Sequence, residues 1–288
     1  MTSFSSPKQN HNTKGILMRS RSLVATSIAV AAMGIAGVAG AGVGIKITGG
    51  GSGGKKAELS CPGGMSRLAH VWDENAPIFP GDPEVDIEVV ADIASDGYLV
   101  ERITTGVHTG THLDSPGHFI DGGRTIDELQ AQEFVWPAYV IDVRDRIADP
   151  NQADDFQLTV DDIRVVERKQ GKIPRGAMVV IQTGFDARFG DPSYFDPAPG
   201  FAGATVQWMV DERRIGGVGS DTLGPDATSD DLFDATYAIL ANDRVALPDI
   251  DNLDALNRNG DLIIAPAVPL RDGSGFMVEP LACHAKDR

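Results

Sequence analysis

The chain has 288 residues, a formal net charge of −16 and only two cysteines, enough for one sizeable α/β domain or at most two small ones. Seven of its 25 Lys and Arg fall in residues 1–56, which hold no Asp or Glu. Residues 57–288 therefore carry 18 basic against 41 acidic groups, a net −23, which disfavours nucleic acid as a partner and reads as a solvated surface or, alternatively, as a means of attracting cations or cationic substrates.

From the N-terminus, a polar lead with Lys8, Lys14, Arg19 and Arg21 precedes an uncharged, Ala/Gly/Val-rich stretch, Ser22 to Ile45. Residues 1–45 read as an export signal, with Ala39-Gly40-Ala41 offering small residues for cleavage. The same stretch, at roughly 24 residues, is about long enough to anchor the chain in a bilayer instead. Arg19-Ser20-Arg21 is not a twin arginine, so the export route stays open. Residues 46–64, containing Gly49 to Gly54, predict a flexible linker, and the folded body is expected over 65–288. Cys61 and Cys283 flank that body and either staple its ends in an oxidising compartment or remain thiols.

Within the body, Val85 to Val90 and Tyr98 to Thr105 predict strands, and Ala138 to Val143 and Ala177 to Gln182 are short apolar runs suited to buried ones. Thr159 to Gln170 begins with a capping threonine, has acids in its first turn and stops before Gly171, so it predicts a helix. Thr205 to Arg213 and Leu232 to Ala241 predict further helices. Gly217 to Ser220, Leu262 to Ala265 and Phe276 to Ala282 predict strands. This rhythm implies a single α/β domain with a mixed β-sheet flanked by helices. Gly216, Gly217 and Gly219 lack the third glycine of a dinucleotide fingerprint.

The strongest chemical signal is His108-Thr109-Gly110-Thr111-His112-Leu113-Asp114-Ser115-Pro116-Gly117-His118-Phe119. Histidine and carboxylate are the ligands of borderline cations such as Zn²⁺ and Mn²⁺. His108, His112, Asp114 and His118 all occupy even positions, yet a straight strand would separate His108 from Asp114 by about 20 Å at about 3.3 Å per residue. The segment must curl, and Gly110, Pro116 and Gly117 permit it. Two His and one Asp on one ion leave positions open for water and substrate, as catalytic sites do.

This pattern resembles the signature of the cyclase family of metal-dependent hydrolases, which includes bacterial kynurenine formamidases and isatin hydrolases. Leu68-Ala69-His70, Pro77-Ile78-Phe79-Pro80-Gly81-Asp82-Pro83, Gly171 to Gly176, Gln182-Thr183-Gly184 and Gly217 to Leu223 extend the similarity over roughly residues 66–282. The resemblance implies a swivelling β/β/α fold and hydrolysis of an amide, formamide or lactam of a small substrate, with homo-oligomers common among relatives. It implies that His108, His112 and Asp114 hold one divalent metal and that His118 moves protons beside it. A divalent ion lowers the pKa of its water toward neutrality, giving a hydroxide to attack the carbonyl. An imidazole with an ordinary pKa of about 6.5 can then protonate the departing nitrogen.

Binuclear members add a His and a Glu, and laid on this chain those positions carry Thr236 and Pro248, so a single metal is expected. Asp243, Asp249 and Asp251 are the nearby acids able to substitute. Loss of the second metal site's ligands also admits a non-catalytic metal- or ligand-binding protein of the same fold; retention of His118 favours the enzyme. Phe79, Phe119 and Trp136 are candidate substrate-pocket aromatics, with core packing the competing role for each, and Asp221 is a candidate substrate contact that could equally cap a turn. His70 is expected to be packed and hydrogen-bonded, and His284 to lie on the surface.

Overall fold

Alternation along the two longest buried strands places side chains on both faces of one sheet, and this organises the whole body. A computed structural model of the chain describes residues 61–148, 156–256 and 260–286. The expected leader (1–45) and most of the expected linker (46–64) lie outside the described residues. The strands are β1 (Met65–Arg67), β2 (Asp86–Ala91), β3 (Val100–Thr104), β4 (His112–Asp114), β5 (Val135–Asp142), β6 (Gln157–Leu158), β7 (Met178–Gln182), β8 (Gly200–Phe201), β9 (Gly217–Ser220), β10 (Val245–Leu247), β11 (Leu262–Ile264), β12 (Gly275–Met277) and β13 (Leu281–Cys283). The helices are α1 (Ile93–Asp96), α2 (Arg144–Ile147), α3 (Val160–Gln170), α4 (Gly203–Arg213) and α5 (Asp234–Ala241).

Nine strands form a mixed sheet in the order β1-β13-β11-β5-β7-β9-β10-β4-β12. Its centre, β5-β7-β9-β10, is parallel, and the strands on either side of it join antiparallel. From β5 and β7, Tyr139, Ile141, Val179 and Ile181 meet Ile163 of α3, Val206 and Met209 of α4, and Ile239 of α5. The alternate residues Trp136, Ala138, Val140, Met178 and Val180 pack on the other face against Leu68, Leu113, Ile126 and Leu253. Period-2 side chains thus supply two apolar layers from one set of strands. Trp136 is in this core, 4% exposed.

Local chemistry sets the helix starts. Thr159 and Asp162 form a reciprocal capping box on α3, satisfying amides that have no partner inside the helix. At α5 the preceding Phe233 offers no side-chain cap. Instead the distant Asp226 carboxylate accepts from the Ala235 and Thr236 amides and from the Thr236 hydroxyl.

Two sequence expectations need correction. The run Phe276 to Ala282 is not one strand but two, β12 at one edge of the sheet and β13 next to the other edge. Pro280, which cannot donate to a ladder, lies between them. His284 is not a surface residue: its side chain is 12% exposed and lies between Ser66 and the fully buried Asp261. The staple reading of the cysteines is the one realised, as a Cys61–Cys283 disulfide beside the Met65–Cys283 register of β1 and β13.

Outside the main sheet, β2 and β3 form a separate antiparallel hairpin. With α1 it exposes Val89, Val90, Ile93, Tyr98, Leu99, Val100 and Ile103, each between 42% and 69%. Among the described residues no helix is long and apolar enough to cross a membrane.

Candidate metal centre

The curl required by the sequence is built from a turn, a short strand and a 3-10 turn. Gly110 sits at φ +61°, and a side chain there would meet the Trp72 ring at 2.9 Å, so the bend and the close approach both call for glycine. His112 to Asp114 then enters the sheet as β4, and Pro116–His118 forms the 3-10 turn. His112 and Asp114 face the same way along β4, as alternate residues must.

Asp114 is the hub. Its carboxylate accepts from His108 Nδ1 at 2.8 Å and lies 3.2 Å from His112 Nε2. The His118 ring stacks on His108 with centroids 3.8 Å apart. His108, Asp114 and His118 each present a ligand atom within 4.8 Å of the others, and His112 joins them through Asp114. All four expected residues converge. The His112 Nδ1–H donates to the Gly110 carbonyl at 2.7 Å, which fixes the tautomer and leaves Nε2 as the lone-pair donor toward the centre.

The electrostatics fit a cation. Burial opposes charge on Asp114, but His112 and His108 outweigh it and hold the carboxyl well below the ordinary range. Burial likewise opposes a charged His112, yet Asp114 and Asp249 raise its pKa to about 9. The site therefore calls for positive charge beside Asp114, and a divalent ion answers the same field as a bound proton. Burial shifts His118 the other way, below the usual histidine value.

Behind these residues lies support that the sequence did not reveal. Ser274, 166 residues away in sequence, contacts His108 Nε2 at 2.8 Å. A β-carbon on the next residue, Gly275, would lie 2.6 Å from the His108 ring. Gly275→Ala should therefore displace His108 and weaken metal binding roughly 10–100-fold, read by metal titration with the far-UV spectrum unchanged. Unaltered affinity would mean that this packing does not position the ligand. Asp249 is the one of the three nearby acids that reaches these histidines, with Oδ2 at 3.9 Å from His112 Nδ1. It also accepts from the Tyr194 hydroxyl, and burial raises its pKa to about 7. Asp243 instead pairs with Arg124, and Asp251 lies 4.0 Å from His70. Thr236 donates its hydroxyl to Asp226.

An aromatic wall adjoins His118. Phe119 meets the His118 ring edge-on at 4.7 Å, then Phe233 at 5.7 Å and Tyr237 at 5.0 Å. Phe79, 44% exposed, completes it against Phe233 at 6.0 Å. Phe233 and Tyr237 escaped the sequence reading; Phe233 holds φ +57°, uncommon for a bulky residue. Asp221 is fully buried and accepts from the Thr183 amide and hydroxyl and the Gly184 amide, bracing the end of β7 against that of β9. His70 is packed as expected, stacked on Phe189 at 3.8 Å, but its buried Nε2 has no hydrogen-bond partner among the described residues.

Known proteins resemble this chain in sequence and in fold. The family model "Cyclase: Putative cyclase" matches residues 66–227. Isatin hydrolase of Roseibium aggregatum is 32% identical over 223 residues, covering 71% of this chain and 82% of that protein. A kynurenine formamidase of Bacillus cereus is 38% identical over 77 residues, 26% of this chain and 37% of that one. The solved structure of isatin hydrolase A from Labrenzia aggregata, bound to benzyl benzoate, superposes with a TM-score of 0.71 at 28% identity. It covers 76% of this chain and 92% of the other.

Proposed function

The chain belongs to the cyclase family and is a metal-dependent hydrolase acting on C–N bonds, and from that premise we propose that it opens a small aromatic lactam or formamide using one divalent ion, Zn²⁺ or Mn²⁺. The observation that carries the reading is the buried Asp114 carboxylate ringed by His108, His112 and His118. His108, His112 and Asp114 would hold the ion, with Ser274 and the Gly110 carbonyl orienting the two imidazoles. When bound, the ion supplies a water of lowered pKa and polarises the scissile carbonyl.

The remaining chemistry belongs to the chain. His118, whose pKa burial lowers, accepts a proton from the attacking water and returns it to the departing nitrogen. Phe79, Phe119 and Phe233 offer ring faces and edges to an aromatic substrate. Asp221 acts indirectly, by fixing the Thr183 and Gly184 amides. The names of the two relatives are those of a lactam hydrolase and a formamidase, which supports this substrate class. Purified protein should contain about one Zn²⁺ or Mn²⁺ per chain by elemental analysis and hydrolyse isatin or N-formylkynurenine. A metal-free protein that binds neither ion and turns over neither compound would overturn the proposal.

The protein is exported and self-associates. The basic lead and uncharged stretch before residue 45 and the disulfide, which persists in oxidising compartments, support export; retention as a membrane anchor by residues 22–45 is the alternative outcome. The exposed apolar side chains of the β2–β3 hairpin and α1, of the kind that mark contact surfaces when they are contiguous, support a homo-oligomer. Protein recovered from the periplasm or medium should lack about 40 N-terminal residues by mass, with light scattering giving a dimer or larger. An uncleaved, monomeric chain in the cytosol would refute both.

A further inference from the structure

At the opposite edge of the sheet from the β4–β12 pair, a second constellation of reactive groups is assembled. Ser66 Oγ lies 2.8 Å from His284 Nε2, and His284 Nδ1 lies 3.0 Å from Asp261 Oδ2. A carboxylate only accepts, so Nδ1 carries the proton toward Asp261 and Nε2 accepts from the Ser66 hydroxyl. Asp261 is fully buried, and its other oxygen accepts from the Ala285 amide at 2.8 Å. The carboxylate is thus held, the imidazole is oriented by it, and the serine faces the imidazole's basic nitrogen. These are the three geometric roles of a serine nucleophile with its base and orienting acid.

The surroundings supply two further requirements. The His284 amide donates to the Gly64 carbonyl and the Leu68 amide to the Pro280 carbonyl, so the even-numbered residues flanking β1 bond across, and by alternation Ser66, opposite Ala282, does the same. In an antiparallel pair the intervening amides point away from the partner. The amide of Arg67, next to Ser66, therefore faces the open edge of the sheet. There the Arg67 carbonyl accepts from Asn252, and a cleft of about 600 Å³ opens along Ser66 and Arg67. Asp186, Asp251 and Asp254 line it; Asp254 is paired with Arg144 at 2.9 Å and the Arg67 guanidinium with Glu279 at 2.6 Å, which leaves Asp186 and Asp251 as the charges facing the cleft.

We propose that Ser66, His284 and Asp261 form a second, metal-independent acyl-transfer centre for small esters carrying a positive charge. The Ser66 oxygen bonds to the acyl carbon while its proton passes to His284 Nε2. The ester C–O bond breaks, and the alcohol leaves with that proton. Water then attacks the acyl-serine with His284 again taking and returning a proton, which releases the acid and restores Ser66. The Arg67 amide stabilises the developing oxyanion, and Asp186 and Asp251 favour the cationic alcohol.

The test uses the full chain with its disulfide intact and its metal removed by EDTA, which silences the first site. Diisopropyl fluorophosphate should give one adduct per chain, mapped to Ser66, and acetylthiocholine should be hydrolysed faster than S-ethyl thioacetate. Ser66→Ala should abolish both reactions, and His284→Gln should slow labelling 100-fold or more. Metal-loaded Ser66→Ala should hydrolyse amides like the parent, which separates this proposal from the one at His108–His118. Absence of an adduct on Ser66 would overturn the proposal, as would labelling undiminished in His284→Gln or ester hydrolysis that survives Ser66→Ala.

Discussion

His118→Ala should lower kcat by about 10²–10⁴-fold, the usual contribution of a positioned proton carrier, while the bound metal stays stoichiometric. His108, His112 and Asp114 remain to hold the ion, and the two tethers on their rings, Ser274 and the Gly110 carbonyl, do not involve His118. The same ring also lies within ligand distance of His108 and Asp114, so metal content is the decisive readout. A variant that loses its ion along with its turnover would make His118 a ligand. The pH profile gives an independent check. Burial lowers the His118 pKa, and the group works as a base only when neutral. The parent should therefore lose kcat/KM as pH falls through a value below the ordinary 6.5 or so, and that limb should vanish in His118→Ala.

Breaking the disulfide should have the largest effect on stability. Cys61 and Cys283 are 222 residues apart, and closing so long a loop restricts the unfolded chain strongly. Removing such a bridge costs about 2–5 kcal/mol, which for a body of this size lowers Tm by roughly 4–20 °C. A Cys61→Ser/Cys283→Ser double variant, or the parent in dithiothreitol, should show that loss in thermal unfolding. Coincident transitions with and without reductant would mean that β1–β13 pairing alone joins the ends.

Legibility in the sequence followed the range of the interaction. Strands β5, β7 and β9 could be read because their apolar runs leave no polar face, and α3 because Thr159, Asp161 and Asp162 declare its start locally. β4 was not read as a strand: His112 and Asp114 look like loop residues, and only β10 and β12 on either side make it a buried strand. The metal motif could be read because its groups lie within eleven residues. Ser274, Gly275, Phe233 and Tyr237 could not, since each reaches the site through a connection far along the chain. His284 next to a terminal cysteine looked like tail, and it took the β1–β13 pairing to place it between Ser66 and Asp261.

The Cys61–Cys283 bridge has one more consequence. It turns the segment between the two cysteines into a covalent ring, and that ring contains the His108–His118 loop, the exposed β2–β3 hairpin and the thirteen strands of the described residues. A single proteolytic cut anywhere inside it, for instance at the hairpin tip around Gly97, opens the ring without producing two molecules. Only the flanks, before Cys61 and after Cys283, can be shed by one cleavage. In a protease-rich environment such a protein is trimmed at its ends and nicked in its middle, yet remains a single particle until the bridge is reduced.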